Sequence, residues 1–254
     1  MSRLSKAQIA AHRGAERLLS QDRLSDDDRE FVLDNWQESA TNINSAAGAF
    51  FTPSGLALDA AIYTTAAETI LDLCAGIGCL GLTAWWRSNQ RARVTCVEVN
   101  PAYVDVGRKL FPEAAWICAS VDALPKLPAF DCVISNPPFG RTAKIKGPRY
   151  SGEDDLAVVD IASDLARWGV FILPSMSCPF VYSGEPNYRR RPTAKHDRFQ
   201  RTTGLRISCE SIDASYHRAT WRGVSPAVEV VSVDFDEARQ AREQAEMPLL
   251  ANAE

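Results

Sequence analysis

The sequence predicts an α/β fold organised around a mostly parallel sheet. Apolar segments at 69–74, 94–99, 115–119 and 130–134 have the length and composition of buried strands. Helix-like segments separate several of them, and this alternation is typical of parallel sheets covered by helices on both faces. A glycine-rich turn follows the first strand, and an Asn-Pro-Pro-Phe group follows the fourth. Because ligands bind at the carboxyl edge of an open α/β sheet, we expect the functional site there.

Composition narrows the class of protein. The chain has 254 residues, an apolar fraction of 46% and a net charge of −4, which argues against a protein that coats nucleic acid indiscriminately. No apolar run approaches the roughly 18 residues of a membrane span, and the N-terminus lacks a signal-peptide core, so we expect a cytoplasmic protein. Seven cysteines without a CxxC pair and three histidines without ligand spacing predict reduced thiols and no metal.

Three parts of the chain are distinguished by pattern. Residues 1–45 predict a helical extension, since Ser25 and the following three aspartates form a helix start. Residues 46–236 carry the strands and motifs, and residues 237–254 predict a short C-terminal helix that then frays. Within the middle part, a helix is expected from Ser151 through Trp168.

The turn after the first strand contains Gly76 and Gly78, which let the backbone bend sharply and let a ligand approach closely. Asp72 lies four residues before Gly76. An acid there favours a ligand with an ammonium group, because a pyrophosphate would be repelled. Glu98 ends the second strand about twenty residues later, where a carboxylate can accept hydrogen bonds from ribose hydroxyls. Asp122, after the third strand, either contacts the same ligand or caps a turn.

The group Asn136-Pro137-Pro138-Phe139 ends the fourth strand, because neither proline can donate to a sheet ladder. The prolines fix the backbone that leaves the sheet. They thereby present one amide side chain, one rigid carbonyl and one aromatic ring at the carboxyl edge. A stiff turn alone would explain the prolines, whereas the flanking Asn and Phe indicate a site.

The order of these motifs, beginning with Phe50-Phe51-Thr52-Pro53, resembles that of class I S-adenosylmethionine-dependent methyltransferases of the N6-adenine type. It is similar in particular to the modification subunits of type I restriction systems. The resemblance runs from Phe50 to the last predicted strand. It implies a seven-stranded Rossmann-like sheet with helices on both faces, preceded here by the helical extension. Three further strands, at 170–174, 205–211 and 228–235, complete that number and end in an antiparallel pair.

The resemblance also implies roles for individual residues. The catalytic group would be Asn136, Pro137, Pro138 and Phe139. S-adenosyl-L-methionine would be the cofactor, with the Thr-Pro loop closing over its methionine end and Asp122 and Ala123 near its adenine. The residues expected to bind it are Phe51, Thr52, Pro53, Asp72, Cys74, Ala75, Gly76, Gly78, Glu98, Val99, Asp122, Ala123 and Asn136.

The substrate implied by the resemblance is an exocyclic amino group, with adenine N6 in DNA as the first expectation. Structured RNA is the first alternative, and a protein glutamine amide is another, although enzymes of that kind usually carry Tyr after the prolines. A catalytically silent binding subunit is disfavoured by the intact Asp72, Glu98 and Asn136. Fewer than twenty residues follow Phe235, so a separate specificity subunit or the chain's own basic segments would recognise the target.

Two basic segments follow the Asn-Pro-Pro-Phe group. Residues 141–201 contain eleven Lys and Arg against seven Asp and Glu, an excess that suits a phosphate-bearing substrate. Ordinary solvated charge is the alternative. The loop 140–147 is expected to be mobile, and a run of three arginines is expected at a loop-to-helix entry. The candidate nucleic-acid contacts are Arg141, Lys144, Lys146, Arg189, Arg190 and Arg191.

Overall fold

A computed structural model describes residues 4–37, 50–222 and 225–246. A seven-stranded sheet in the order β3-β2-β1-β4-β5-β9-β8 forms its centre. The first five strands are parallel, whereas β9 is antiparallel to both β5 and β8. The strands are β1 (Thr69–Leu73), β2 (Arg93–Glu98), β3 (Ala115–Cys118), β4 (Phe130–Ser135), β5 (Ala166–Pro174), β8 (Ser208–Cys209) and β9 (Val228–Asp234). The predicted seven-stranded α/β fold is confirmed.

Helices cover both faces of this sheet. They are α1 (Lys6–Leu19), α2 (Asp26–Asn35), α3 (Ser54–Ala60), α4 (Cys79–Arg87), α5 (Pro101–Leu110), α6 (Asp154–Ala162), α7 (Ala194–Thr203) and α8 (Phe235–Glu246). Neighbouring side chains of one strand enter opposite cores, as the two-residue period of a strand requires. Ile134 packs with α3, α4 and α5 on one face, and Val133 packs with α6, α7 and α8 on the other.

The N-terminal helices α1 and α2 each begin with a serine capping box, at Ser5 and Ser25. A bidentate ion pair from Arg29 to Glu113, with N–O distances of 2.8 and 3.1 Å, joins α2 to the segment after α5. Arg222 donates to two backbone carbonyls at the end of α2. The extension predicted for 1–45 is thus described as two packed helices over 4–37, while residues 1–3 and 38–49 lie outside the described residues. So do residues 247–254 of the predicted tail.

Two predicted elements differ from the structure around β5. The helix expected through Trp168 ends at Ala162, and β5 begins at Ala166, so Trp168 lies in the strand. Leu165 and Trp168 fit the apolar period of a helix. In the structure, however, Leu165 lies in the turn after Ala162, and Trp168 lies in β5, where it pairs with β4 and β9. The sixth strand, expected over 205–211, pairs only at Ser208–Cys209.

The segment after Asn-Pro-Pro-Phe is held by buried acids of α6. Asp154 accepts hydrogen bonds from the backbone N–H groups of Ala143 (2.7 Å) and Ile145 (2.8 Å). Asp160 accepts from those of Arg149 (2.6 Å) and Tyr150 (2.8 Å). Both carboxylates are fully buried. The loop predicted to be mobile is therefore attached to the start of α6 through Asp154, and its mobility stays a prediction.

A two-stranded hairpin that the sequence did not predict follows β5. Its strands are β6 (Phe180–Val181) and β7 (Arg189–Arg190), and they pair antiparallel. Glu229, at the start of β9, accepts from the backbone N–H groups of Tyr182 and Ser183 and holds the hairpin beside the sheet. None of the described helices is long and apolar enough to cross a membrane.

Gly107 of α5 provides a test of packing at the edge of the sheet. A Cβ at this position would lie 2.1 Å from the Trp116 ring, and a Cβ on Gly78 would lie 3.0 Å from the same ring. Gly107→Ala should displace the ring and lower the free energy of unfolding by about 1–3 kcal/mol, measured by urea denaturation. Gly14→Ala is the control, because the atoms nearest to its Cβ belong to the side chains of Phe31 and Arg17, at 3.2 Å or more, and Phe31 is exposed. Equal stability of G107A and wild type would contradict the packing.

Candidate active site

A pocket of about 330 Å³ opens at the carboxyl edge of the sheet, beside the ends of β1, β2 and β4. Parallel strands bring their carboxyl ends to one edge, so residues far apart in sequence meet there. Ten of the predicted site residues line it: Phe51, Thr52, Cys74, Ala75, Gly76, Glu98, Val99, Asn136, Pro137 and Pro138. Their convergence is observed, whereas the role of each stays a prediction.

The turn after β1 is closed against the end of β2. Ala75 donates from its backbone N–H to the Val97 carbonyl at 2.9 Å. Gly76 and Gly78 have φ angles of +58° and +94°, in the left-handed region that glycine tolerates best. The turn therefore presents its backbone to the pocket at a position that a side chain would obstruct.

Glu98 accepts one backbone hydrogen bond on each carboxylate oxygen. Gly76 N donates to Oε2 at 2.8 Å, and Asn100 N donates to Oε1 at 2.9 Å. Burial raises the pKa of Glu98, while these backbone donors oppose the rise. Each oxygen keeps a further lone pair, so the carboxylate can still accept hydrogen bonds from a ligand in the pocket.

Asn136 joins the two motifs that lie furthest apart in the site. Its Nδ2 donates to the Phe50 carbonyl at 2.9 Å and to Thr52 Oγ1 at 3.0 Å. The Phe50 carbonyl can only accept, which identifies the nitrogen of the carboxamide. The Oδ1 atom is buried and has no hydrogen-bond partner. A buried acceptor without a donor is costly, so this oxygen is the polar group that a ligand N–H would satisfy.

The two prolines and the aromatic ring that follow occupy different positions. Pro137 and Pro138 line the pocket, and Phe139 lies beside it, outside the lining. The Phe139 ring packs on the Phe50 ring with centroids 5.8 Å apart. Ser135 Oγ donates to the Leu73 carbonyl at 2.6 Å, so the end of β4 is tied directly to the end of β1.

Asp72 does not line the pocket in this structure, and its selection of an ammonium group stays a prediction. It is fully buried beneath the glycine turn, where Oδ2 accepts from Gly81 N of α4 at 2.7 Å. Burial raises its pKa to about 8. Its role in this structure is to join β1 to the first turn of α4.

Four other predicted cofactor residues lie outside the lining. Gly78 faces the Trp116 ring, and Pro53 caps the start of α3. Asp122 and Ala123 are exposed, and Asp122 accepts from Ser120 Oγ. The short turn after β3 places the preceding residues at the pocket instead, since Ala119, Ser120 and Val121 line it.

Several lining residues were missed by sequence reasoning. Tyr103 follows the Asn-Pro start of α5, and its ring contacts Phe51 at 5.3 Å between centroids. An aromatic residue just after a strand end is a weak signal that could have identified it. Ala143 and Ile145 carry no such signal, because only the anchoring of their backbone by Asp154 brings them to the pocket. The other missed residues are Phe50, Cys79, Leu80, Val97 and Asn100.

The candidate nucleic-acid contacts differ in exposure. Arg141, Lys144 and Lys146 are exposed on the loop that borders the pocket, and Arg189 and Arg190 are exposed on β7. Arg189 pairs with Glu185 at 3.0 Å. Arg191 is different: it is half-buried and donates to the Ser175 carbonyl. The backbone of Arg191 follows β7, which pairs with β6, and its side chain is turned toward the protein, so this arginine is less accessible than the other two.

Comparison with known proteins gives a partial family match and a shared fold. The family model described as "Methyltransferase small domain" matches residues 54–147. A "putative RNA methyltransferase" from Pyrococcus horikoshii is 16% identical, with a TM-score of 0.52 over 83% of this chain and 98% of that one. A "putative class I S-adenosylmethionine-dependent methyltransferase" from Listeria monocytogenes is 11% identical, with a TM-score of 0.55 over 89% and 80%.

A type I restriction-modification methyltransferase subunit from Streptococcus thermophilus is 16% identical, with a TM-score of 0.49 over 74% of this chain and 46% of that one. No curated protein matches the sequence significantly. The structural similarities confirm the class I methyltransferase fold. The family model adds a match to a methyltransferase domain over residues 54–147.

Asp72 predicts a measurable pH dependence of stability. Its pKa is raised from 3.8 to about 8 in the folded chain. Between these values the folded state holds a proton that the unfolded state has lost, so stability falls as pH rises, by as much as about 1.4 kcal/mol per unit. Asp72→Asn resembles the protonated acid and keeps an acceptor for Gly81 N. The stability of D72N relative to wild type should therefore increase from pH 5 to pH 8, measured by urea denaturation. A difference that is constant with pH would contradict the assignment.

Proposed function

We propose that this protein transfers a methyl group from S-adenosylmethionine to the N6 amino group of adenine, with DNA as the first candidate polymer. The observation that carries the proposal is the buried, unpartnered Oδ1 of Asn136 in the wall of the pocket. The orientation of this oxygen is set by the two hydrogen bonds that Nδ2 of the same carboxamide donates to Phe50 and Thr52. An acceptor prepared in this way suits a substrate that brings an N–H group.

The residues that line the pocket suit the parts of the proposed cofactor. Glu98 keeps lone pairs for the two ribose hydroxyls, and the backbone at Ala75 and Gly76 allows close approach. Val99 and Val121 supply apolar surface for a purine. When bound, the cofactor supplies an electrophilic methyl group on a sulfonium.

The residues of the chain act on the nucleophile. An adenine amino group is a poor nucleophile because its lone pair is delocalised into the ring. Asn136 Oδ1 and the Pro137 carbonyl would accept its two N–H bonds, which favours a pyramidal nitrogen with its lone pair directed at the methyl group. The increase in reaction rate comes from positioning the amino group and from stabilising the positive charge that develops on its nitrogen. The adjacent Phe50 and Phe139 rings offer a stacking surface for a base taken out of its helix.

The identity of the polymer is the finer part of the proposal. Structured RNA is the second candidate, favoured by the similar length and fold of the "putative RNA methyltransferase" from Pyrococcus horikoshii. A protein glutamine amide presents the same N–H donors and is the third. Recognition of a DNA site would come from the basic segments of this chain or from a separate specificity subunit.

The test is methyl transfer with tritiated cofactor to plasmid DNA, total RNA and protein in parallel, followed by digestion to nucleosides or amino acids. The expected product is N6-methyladenosine, as the deoxynucleoside if DNA is the substrate. Label in RNA alone would select the second candidate, and label in glutamine the third. Cofactor binding without transfer to any of them would contradict the proposed activity.

Asn136→Ala should abolish methyl transfer while cofactor affinity changes no more than a few-fold. The substitution removes the acceptor for the amino group but leaves Glu98 and the glycine turn in place. Turnover is measured by label transfer, and cofactor affinity by calorimetry. Activity equal to wild type in N136A would eliminate the mechanism.

Thr52 gives a second, more selective test. Thr52→Val removes the hydroxyl that accepts from Asn136 Nδ2 and keeps the shape of the side chain. Losing one hydrogen bond of about 1 kcal/mol should lower kcat roughly five- to tenfold. Thr52→Ser keeps the hydroxyl and is the matched control, expected to stay near wild type. If the two variants lose activity equally, the hydroxyl does not position Asn136.

A further inference from the structure

The two basic segments that follow Asn-Pro-Pro-Phe in sequence meet in space at one carboxylate. Glu153, which begins α6, lies 3.6 Å through Oε1 from Arg141 Nη2 on the loop after the motif. The same oxygen lies 3.7 Å from Lys195 Nζ on α7. The two cations are 54 positions apart in sequence, and nothing in the sequence pattern joins them.

Tyr150 and Arg198 complete this group. The Tyr150 hydroxyl donates to the other oxygen of Glu153 at 2.6 Å, and its ring is fully packed against Phe199 of α7. The Arg198 guanidinium lies over the same ring, 5.8 Å from its centroid. Lys195 and Arg198 are three residues apart on α7 and so share one helix face. We call Arg141, Tyr150, Glu153, Lys195 and Arg198 the Glu153 cluster.

The Glu153 cluster carries an excess of positive charge at its surface. One carboxylate, whose side chain is 14% exposed, serves two cations, of which Arg141 is 65% exposed. The neighbouring Asp154 and Asp160 are fully buried and are occupied by backbone N–H groups and Arg149. Asp197 is the exposed acid on the same turn of α7. Three of the seven acids that offset this segment in sequence, Asp154, Asp155 and Asp160, are therefore fully buried, away from the surface.

This charged surface borders the pocket. Arg141 lies two residues before Ala143, which lines the pocket together with Ile145. The exposed Lys144 and Lys146 flank Ile145 on the same loop. A chain that places one unit in the pocket would therefore have its neighbouring units beside these cations.

We propose that the Glu153 cluster is the surface that binds the phosphodiester backbone of the nucleic-acid substrate next to the target base. This inference rests on the proposed function, because it places the backbone of the same substrate whose base enters the pocket. Clustered cations that belong to separate elements suit a series of phosphates more than an isolated anion. An unstructured peptide chain would not require this excess of cations.

The test is binding of a fluorescein-labelled, adenine-containing single-stranded oligonucleotide, as DNA and as RNA, by fluorescence anisotropy across a range of salt concentrations. The variant replaces Arg141, Lys195 and Arg198 with Ala in the full chain. The slope of log affinity against log salt should decrease by about 2, since each lost contact with a single strand contributes roughly 0.7. Replacement of the exposed Arg13, Arg23 and Arg93 with Ala removes the same charge outside the cluster and should leave the slope unchanged.

A second variant should increase affinity for the oligonucleotide instead of lowering it. Glu153→Gln removes the negative charge and keeps an acceptor for Tyr150, so we expect affinity to rise several-fold at low salt. Calorimetric binding of the cofactor checks that each variant is folded. An unchanged slope in the triple variant, or weaker binding in E153Q that binds cofactor normally, would overturn the proposal.

The outcome separates this inference from the proposed function. Methylation of adenine by wild type, with a slope that does not depend on the cluster, overturns the surface and leaves the activity. Cluster-dependent binding without methylation of any nucleic acid overturns the activity and supports the surface. Absence of oligonucleotide binding by wild type overturns the surface and favours a protein amide as substrate.

Discussion

The hydrogen bonds from the Asn136 carboxamide to Phe50 and Thr52 are the constraint on which the site depends. They connect the loop before α3 to the end of β4, more than eighty residues later. They also leave the oxygen of that carboxamide, Oδ1, without a partner in a buried position. In the proposed function, the same contact sets which atom of Asn136 would meet the N–H group of a substrate.

Buried carboxylates that accept backbone N–H groups give the surrounding loops their shape. Glu98 holds the glycine turn, Asp72 holds the start of α4, and Asp154 holds the loop that contributes Ala143 and Ile145. Acceptors of this kind satisfy backbone donors that irregular segments would otherwise leave unpaired. The site is thus built from loops, but each loop is attached to a strand end or to α6 by an acidic or amide side chain.

The excess of basic residues at the surface follows from the burial of acids that bind backbone N–H groups. In sequence, residues 141–201 mix cations and anions, and their net charge alone does not locate a surface. In the structure Asp154 and Asp160 face inward, and Glu153 remains between Arg141 and Lys195. Tertiary packing therefore converts a mixed segment into a surface with an excess of positive charge, while Arg191 is withdrawn to bind Ser175.

The sequence by itself determined the α/β class, the first five parallel strands and the edge at which the site lies. These depend on local patterns: apolar runs, glycines that permit a turn, and prolines that end a strand. The sequence did not determine the end of α6, the hairpin of β6 and β7, or the length of β8. Apolar periodicity there fits more than one kind of element, and the pairing between strands determines which one forms. Nor could the sequence separate Glu98, which reaches the pocket, from Asp72, which is buried beneath it. Only the tertiary structure decided which acids reach the pocket and which are buried beneath it, since that choice depends on contacts between residues distant in the chain.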